Sequence, residues 1–262
     1  MNVLEYEMLE ILKRLKNDYG VIEIKAEYEN EGSRQEELIR LKDVTARAGL
    51  PIILKIGGVE AVTDMYNAIT LGVSGIVAPM AETRFAVDKF LHAIETFIPE
   101  DNAADIEFAI NIETITAYDN IDDIFESDYL HHLSSVTVGR VDFTGSLGKD
   151  RSFADSDAML DYCREIFSKA RAKGLRCALG GAVSGQSHLF IRSLVDEGLI
   201  DKYETRKVVY HKEGLKTYAK GLEEGIRFEL AWLKSKRRYY HRIKQEDEKR
   251  IEMLEKRVRA FQ

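Results

Sequence analysis

Only two cysteines, Cys163 and Cys177, occur in the 262 residues. They are too few for the even-numbered frameworks that hold small secreted folds together. Both fall in stretches patterned as helix and strand, which predicts a reduced, cytoplasmic setting. No run of eighteen or more apolar residues exists, and the N-terminus MNVLEYEMLEILKRLKND has acidic residues where a secretion signal needs a basic flank and an apolar core. A membrane is therefore not an expected partner. The formal net charge of −7 argues against a nucleic-acid protein on bulk electrostatics. That charge is uneven: residues 234–262 hold eleven basic and five acidic side chains, net +6, leaving −13 for the rest. With 45% apolar residues, a chain of this length can bury the core of one large α/β domain.

Periodicity then orders the elements. Leu4, Met8, Ile11, Leu12 and Leu15 share one face at three- and four-residue steps, an amphipathic helix over residues 3–18. A period of two follows over residues 21–27, then a polar turn and a helix ending near residue 48. The cycle repeats with strands at 51–56, 75–78, 106–112, 136–138, 176–179 and 204–210, each followed by a helical stretch. Short strands alternating with helices call for a parallel sheet, and seven of them favour a TIM-like (β/α) barrel over an open sheet. The count is one short of eight. Either residues 1–4 supply a very short first strand, or that strand is lacking. Residues 1–212 are expected to form the barrel and 213–262 a long helix serving oligomerisation.

The strand faces carry the functional signal. If Ile22, Ile24 and Ala26 pack on helices, then Lys25 and Glu27 face the lumen, and the same alternation sends Lys55, Asn111 and Glu113 there. Charged groups in a lumen must pair or bind a ligand. A structural ion-pair network is one reading and a site is the other. Two segments favour a site: Phe108-Ala-Ile-Asn-Ile-Glu-Thr114 ends a strand in a carboxylate, and Val138-Gly-Arg-Val-Asp-Phe-Thr-Gly-Ser-Leu-Gly148 places Asp142 three residues beyond a strand-end glycine. Oxygen ligands from neighbouring strand ends suit Mg²⁺ or Mn²⁺. The adjacent His131 and His132 are expected to diverge at the surface. The glycine pairs Gly57-Gly58 and Gly180-Gly181 follow strands and either cradle an anion or simply turn the chain.

Together with Gly72-Val-Ser-Gly-Ile-Val-Ala-Pro-Met80, these segments make the sequence resemble the HpcH/HpaI aldolase and citrate lyase β-subunit family, barrels of the phosphoenolpyruvate/pyruvate superfamily. The resemblance implies that Glu113 and Asp142 ligate a divalent metal, that Asn111 lines the pocket, and that Gly139 and the amides around Val141 and Asp142 hold a substrate carboxylate. It implies carbon–carbon lyase or aldolase chemistry on a 2-oxo acid through a pyruvate-type enolate; a phosphorylated sugar acid becomes a candidate if a glycine pair binds phosphate. It also exposes departures. Where family aldolases carry a catalytic arginine, Lys55 is the available cation, without the bidentate fork. Where bacterial members carry an Asp and a His, this chain reads Lys25-Ala-Glu27-Tyr28, so Glu27 is a candidate base tuned by Lys25. Arg140 stands where many relatives have a small residue or proline, and it either neutralises the substrate carboxylate or pairs with a carboxylate such as Glu113.

Two other functions stay open on the sequence alone: a Schiff-base aldolase using Lys25 or Lys55, and a catalytically lapsed barrel serving as an assembly or binding module. The tail bears on the second. Residues 215–261 contain no proline, and Ile251, Leu254, Val258 and Phe261 step by three, four and three, a short coiled-coil-like seam. The related barrels exchange C-terminal helices, so a homo-oligomer is the expected assembly.

Overall fold

The structure, a computed structural model, describes residues 1–259. Its elements run α1 (Val3–Asp18), β1 (Val21–Glu27), α2 (Gln35–Ala48), β2 (Ile52–Lys55), α3 (Val62–Leu71), β3 (Gly75–Ala78), α4 (Arg84–Phe97), α5 (Glu100–Ala104), β4 (Glu107–Ile112), α6 (Ile115–Asp119), α7 (Ile121–Ile124), β5 (Ser135–Gly139), α8 (Arg140–Ser146), α9 (Asp157–Ala172), β6 (Arg176–Gly180), α10 (His188–Asp196), β7 (Lys202–Glu204), β8 (Val208–His211) and α11 (Tyr218–Arg259). The eight strands close into a barrel in chain order. Neighbours from β1 to β7 pair in parallel, while β8 pairs antiparallel with both β7 and β1.

That last strand resolves the missing count. Residues 1–4 make no strand: Val3 already begins α1, behind a capping box in which the Asn2 side chain accepts from the Glu5 amide. The stretch at 204–210, expected as one strand, is instead a hairpin whose return arm fills the gap. Thr205 sets the turn, with its amide donating to the Val208 carbonyl at 2.9 Å and its hydroxyl accepting from the Val208 amide at 3.1 Å. Tyr203 and Tyr210 face each other across the hairpin with rings stacked 5.1 Å apart and 6° from parallel. The Tyr210 hydroxyl donates to the Gly221 carbonyl at 2.8 Å, docking the start of α11 on the reversed strand.

Side chains inside the barrel form three tiers. At the N-terminal ends of the strands, Lys202 Nζ lies 3.1 Å from Glu23 and 2.9 Å from Glu107, while Arg176 reaches Glu107 at 3.0 Å. Above them sits a small apolar tier of Ile53, Val77, Ala109 and Val209, separate from the main core between sheet and helices. At the C-terminal ends lie Lys25, Glu27, Lys55, Asn111, Glu113 and Glu204, all buried. The lower tier is a structural ion network. The upper tier opens to solvent.

Helix α11 spans 42 residues, about 63 Å at 1.5 Å per residue. Its first part packs against α1 and buries Tyr218, Leu222, Phe228, Ala231 and Trp232. Every described residue from His241 onward is exposed, including Ile251, Leu254 and Val258 of the apolar seam; Phe261 lies outside the described residues. None of the described helices is long and apolar enough to cross a membrane.

Replacing Lys202 leaves Glu23 and Glu107 facing each other without their shared cation. Lys202→Met is expected to cost about 3–5 kcal/mol, the usual penalty for stranding buried partners, measured by urea denaturation. A loss below about 1 kcal/mol would show that water reaches this tier.

Candidate functional site

A cavity of about 620 Å³ opens at the C-terminal ends of the strands. Lys25, Glu27, Lys55, Asn111, Glu113, Gly139, Val141 and Asp142 all line it, so eight of the nine residues singled out from sequence converge. Glu113 is held at both of its oxygens. Its Oε1 accepts from the Met80 amide at 3.0 Å and its Oε2 from Asn111 Nδ2 at 3.0 Å. Met80 adopts a left-handed backbone at φ 51°, a strained state for a side chain of this kind, which here aims the amide at the carboxylate.

Two glycines give the site its room. A Cβ on Gly139 would lie 2.5 Å from Glu113 Oε2, so the β5 end approaches the carboxylate as closely as it does only because residue 139 has no side chain. Gly181, at φ +76°, brings the β6 loop over the start of α8; a Cβ there would sit 2.6 Å from the Arg140 nitrogen and 2.7 Å from the Val141 nitrogen. Ala182, next along the cavity wall, is the other non-glycine residue with positive φ among the described residues. The two left-handed residues therefore flank one site.

The charges divide into a paired set and an unpaired one. Lys25 Nζ lies 2.5 Å from Glu204 and 3.3 Å from Glu27. Burial opposes its charge, but the two carboxylates prevail and hold the ammonium well above its usual range. Burial likewise raises Glu27, yet Lys25 and then Lys55 overcome it, so Glu27 stays ionised and is a weak base. Lys55 Nζ lies 2.7 Å from Glu29. Desolvation works against its charge; Glu113 and Glu27 favour it, Lys25 opposes it, and the net shift is upward. Both lysines are thus held protonated, which disfavours either as a Schiff-base nucleophile.

Glu113 differs. Burial pushes its carboxyl above the ordinary value, the charge of Asp142 adds to the rise, and Lys55 with the two amide donors only partly counters it. Among the described residues no cation lies within 4.0 Å of Glu113 or Asp142. Asn111 Oδ1 is buried beside Glu113 without a hydrogen-bond partner. An unpaired amide oxygen, a desolvated carboxylate and a second carboxylate on the exposed first turn of α8 make an all-oxygen donor set that fits a hard divalent cation.

Arg140 takes the second of its two expected roles and pairs with a carboxylate, but the partner is Asp155 and not Glu113. Its guanidinium is fully buried and turned away from the cavity, donating to the Gly180 carbonyl (3.3 Å), the Gly181 carbonyl (2.7 Å), the Ala154 carbonyl (2.9 Å) and Asp155 Oδ1 (2.5 Å). It also stacks over Phe190 at 4.6 Å. With four of its five N–H groups engaged in this way, it does not pair with Glu113 and does not line the cavity; it ties the β6 loop to α8. Of the glycine pairs, Gly180-Gly181 lines the cavity, whereas the Gly57 amide is taken by Asp64 Oδ2 at 2.7 Å and serves the turn into α3. Glu204, the acid that fixes Lys25, does not stand out in the sequence, because residues 204–210 have the pattern of a single strand while the structure makes a hairpin there. Nor do Arg151 and Arg206 at the mouth, or Leu222, Ile226 and Glu229 from α11 along one wall.

Gly139→Ala is expected to push the Glu113 carboxylate aside and weaken Mn²⁺ binding at least about tenfold, read by titration calorimetry, while the circular dichroism spectrum is retained. Unchanged affinity would show that Glu113 is not a ligand. Glu113→Gln tests the electrostatics without metal. A folded-state pKa above the ordinary 4.5 means the folded protein holds this proton more tightly than the unfolded chain, so stability is lost as pH rises through the raised value. Glutamine removes that penalty and lets Asn111 turn its unpaired oxygen to a donor. The metal-free variant should therefore melt a few degrees above metal-free wild type at pH 8, at about 2–4 °C per kcal/mol, with the gap closing toward pH 4. A lower melting temperature at pH 8 would contradict the account.

The comparisons with known proteins identify the family and the fold. The model of the HpcH/HpaI aldolase/citrate lyase family matches residues 7–185. No curated protein matches the chain. Among solved structures, an HpcH/HpaI aldolase from Desulfitobacterium hafniense DCB-2 superposes with a TM-score of 0.60 at 14% identity, covering 85% of this chain and 88% of that one. The citrate synthase SbnG gives 0.59 at 17% identity, over 76% and 81%. CitE from Mycobacterium tuberculosis, solved with magnesium, acetoacetate and coenzyme A, gives 0.52 at 13% identity, over 80% and 77%. The structural likenesses show a shared fold, and the family match shows descent: the chain belongs to the HpcH/HpaI aldolase/citrate lyase family.

Proposed function

We propose that this chain is a divalent-metal-dependent carbon–carbon lyase or aldolase acting on a 2-oxo acid, with a hydroxylated or sugar-derived acid as the longer substrate. The observation that carries the reading is the buried Glu113 carboxylate, set beside an unpartnered Asn111 oxygen in the cavity that Asp142 also lines, with no ion-pair partner within 4.0 Å among the described residues and only partial compensation from Lys55. Glu113 and Asp142 would hold Mg²⁺ or Mn²⁺. Such an ion supplies electrophilic stabilisation for the negative charge that builds on a keto oxygen when the adjacent carbon–carbon bond breaks.

The remaining roles fall to the chain's own groups. The space that Gly181 leaves in front of the Arg140 and Val141 nitrogens is suited to a substrate carboxylate, with Gly139 and Asn111 lining the same pocket. Lys55, held protonated, supplies positive charge on the side of the cavity shared with Glu113. Glu27 and Glu204 fix Lys25 as an ammonium, so this trio shapes the field of the lumen more readily than it moves a proton. The exposed seam of Ile251, Leu254 and Val258 on α11 supports a contact with a second copy of the chain. Two buried free thiols, Cys163 and Cys177, suit a reducing cytoplasmic compartment.

Pyruvate release from a panel of hydroxylated 2-oxo acids, assayed with Mg²⁺ or Mn²⁺, tests the reading. EDTA, Glu113→Ala and Asp142→Ala should each lower kcat/KM by about 10³-fold or more, roughly 4 kcal/mol of transition-state stabilisation. Borohydride in the presence of pyruvate should trap no adduct. Turnover surviving EDTA and both substitutions, or a covalent adduct on Lys25 or Lys55, would replace this reading with a Schiff-base aldolase.

A further inference from the structure

Half of the six histidines in the chain gather with one carboxylate at the other pole of the barrel. His92 and Glu95 are one turn apart near the end of α4, and His131 and His132 close the short 3-10 turn Leu130–His132 that leads into β5. This cluster lies at the N-terminal end of β5, whereas Glu113 and Asp142 lie at the C-terminal ends of the strands. The adjacent histidines do not diverge as the sequence suggests. Their ring centroids are 4.0 Å apart with the planes 42° from parallel, and one ligand atom from each lies within 4.8 Å of the other and of a Glu95 oxygen.

Glu95 organises the group. Its Oε1 lies 2.8 Å from His132 Nε2, and its Oε2 lies 3.5 Å from His92 Nδ1. The His92 ring in turn packs 5.6 Å from Tyr129, next to the 3-10 turn. Exposed Glu–His ion pairs are worth little and account for His132 and His92 but not for His131. They leave that imidazole unexplained, since His131 has no hydrogen-bond partner among the described residues yet is turned into the same space.

We propose that Glu95, His131 and His132 bind one divalent transition-metal ion of the zinc type, with His92 as a positioning residue on the second oxygen of Glu95. Two imidazole nitrogens and a carboxylate oxygen form a donor set that favours such an ion over Mg²⁺. Zinc bonds of about 2.0–2.1 Å in a tetrahedral arrangement hold ligand atoms about 3.3 Å apart. The observed spread reaches that separation by small rotations of side chains that are exposed or half-buried. The fourth position is left to water. An ion there cross-links α4 to the turn preceding β5 and does so away from the catalytic mouth.

Calorimetric titration of the full chain with ZnCl₂ in excess Mg²⁺ tests this directly. One zinc equivalent should bind wild type and Glu113→Gln alike. His131→Gln/His132→Gln should weaken that binding about 100-fold or more and Glu95→Gln about 10–100-fold, with His92→Ala nearer tenfold as expected for a group acting through a ligand. Melting curves in EDTA should be unchanged for all these surface variants, separating lost binding from lost folding. No zinc binding by wild type, full binding by the double histidine variant, or loss of binding in Glu113→Gln would each overturn the proposal, the last by placing the zinc at the barrel mouth.

Discussion

A buried carboxylate with no cation in contact, its charge only partly offset by Lys55, is the constraint around which the barrel mouth is arranged. Glu113 ends β4 inside the lumen, where desolvation disfavours its charge. The chain places an amide donor on each oxygen, from a left-handed Met80 and from Asn111, and removes the side chain of residue 139 to make room. Each of these features holds the carboxylate in place, and none neutralises it. Strain at Met80 and an unpartnered Asn111 oxygen are difficult to account for in a purely structural arrangement; both are natural at a site made to receive a positive ion.

The lumen otherwise shows what a neutralised network looks like. In the lower tier Lys202 bridges Glu23 and Glu107, Arg176 joins them, and burial is matched by pairing. In the upper tier the same pairing fixes Lys25 to Glu27 and Glu204, Lys55 to Glu29, and Lys207 to Glu31. A structural ion network and a site thus coexist, separated by the apolar layer of Ile53, Val77, Ala109 and Val209. What distinguishes the site is the acidic pair left over once every nearby lysine has found a partner.

Much of this was legible in the sequence because the strand alternation is clean. Lys25, Glu27, Lys55, Asn111 and Glu113 sit on the polar sides of strands whose other sides are apolar, and a period of two is enough to send them inward. The closing strand was not legible. The turn at Thr205 to Lys207 contains neither glycine nor proline, so the pattern ran on through a reversal that a threonine side chain stabilises. Arg140 misled for a different reason. Its position beside Gly139 is right for a substrate ligand, but the bond vectors at the start of α8 turn its guanidinium toward the carbonyls of the β6 loop. The clustering of Glu95 with His131 and His132 depends on a tertiary contact between segments some thirty-six residues apart, which no local period encodes. The pattern of α11 is that of a separate tail, yet its first turns line the cavity at the barrel mouth.

The most direct test of the central claim is a crystal structure grown with Mn²⁺ and pyruvate, using the anomalous signal of manganese to place the ion. The account predicts one strong peak at the barrel mouth bonded to oxygens of both Glu113 and Asp142. A peak bonded to neither carboxylate, or Glu113 instead paired with Lys55 and no peak at the mouth, would contradict it.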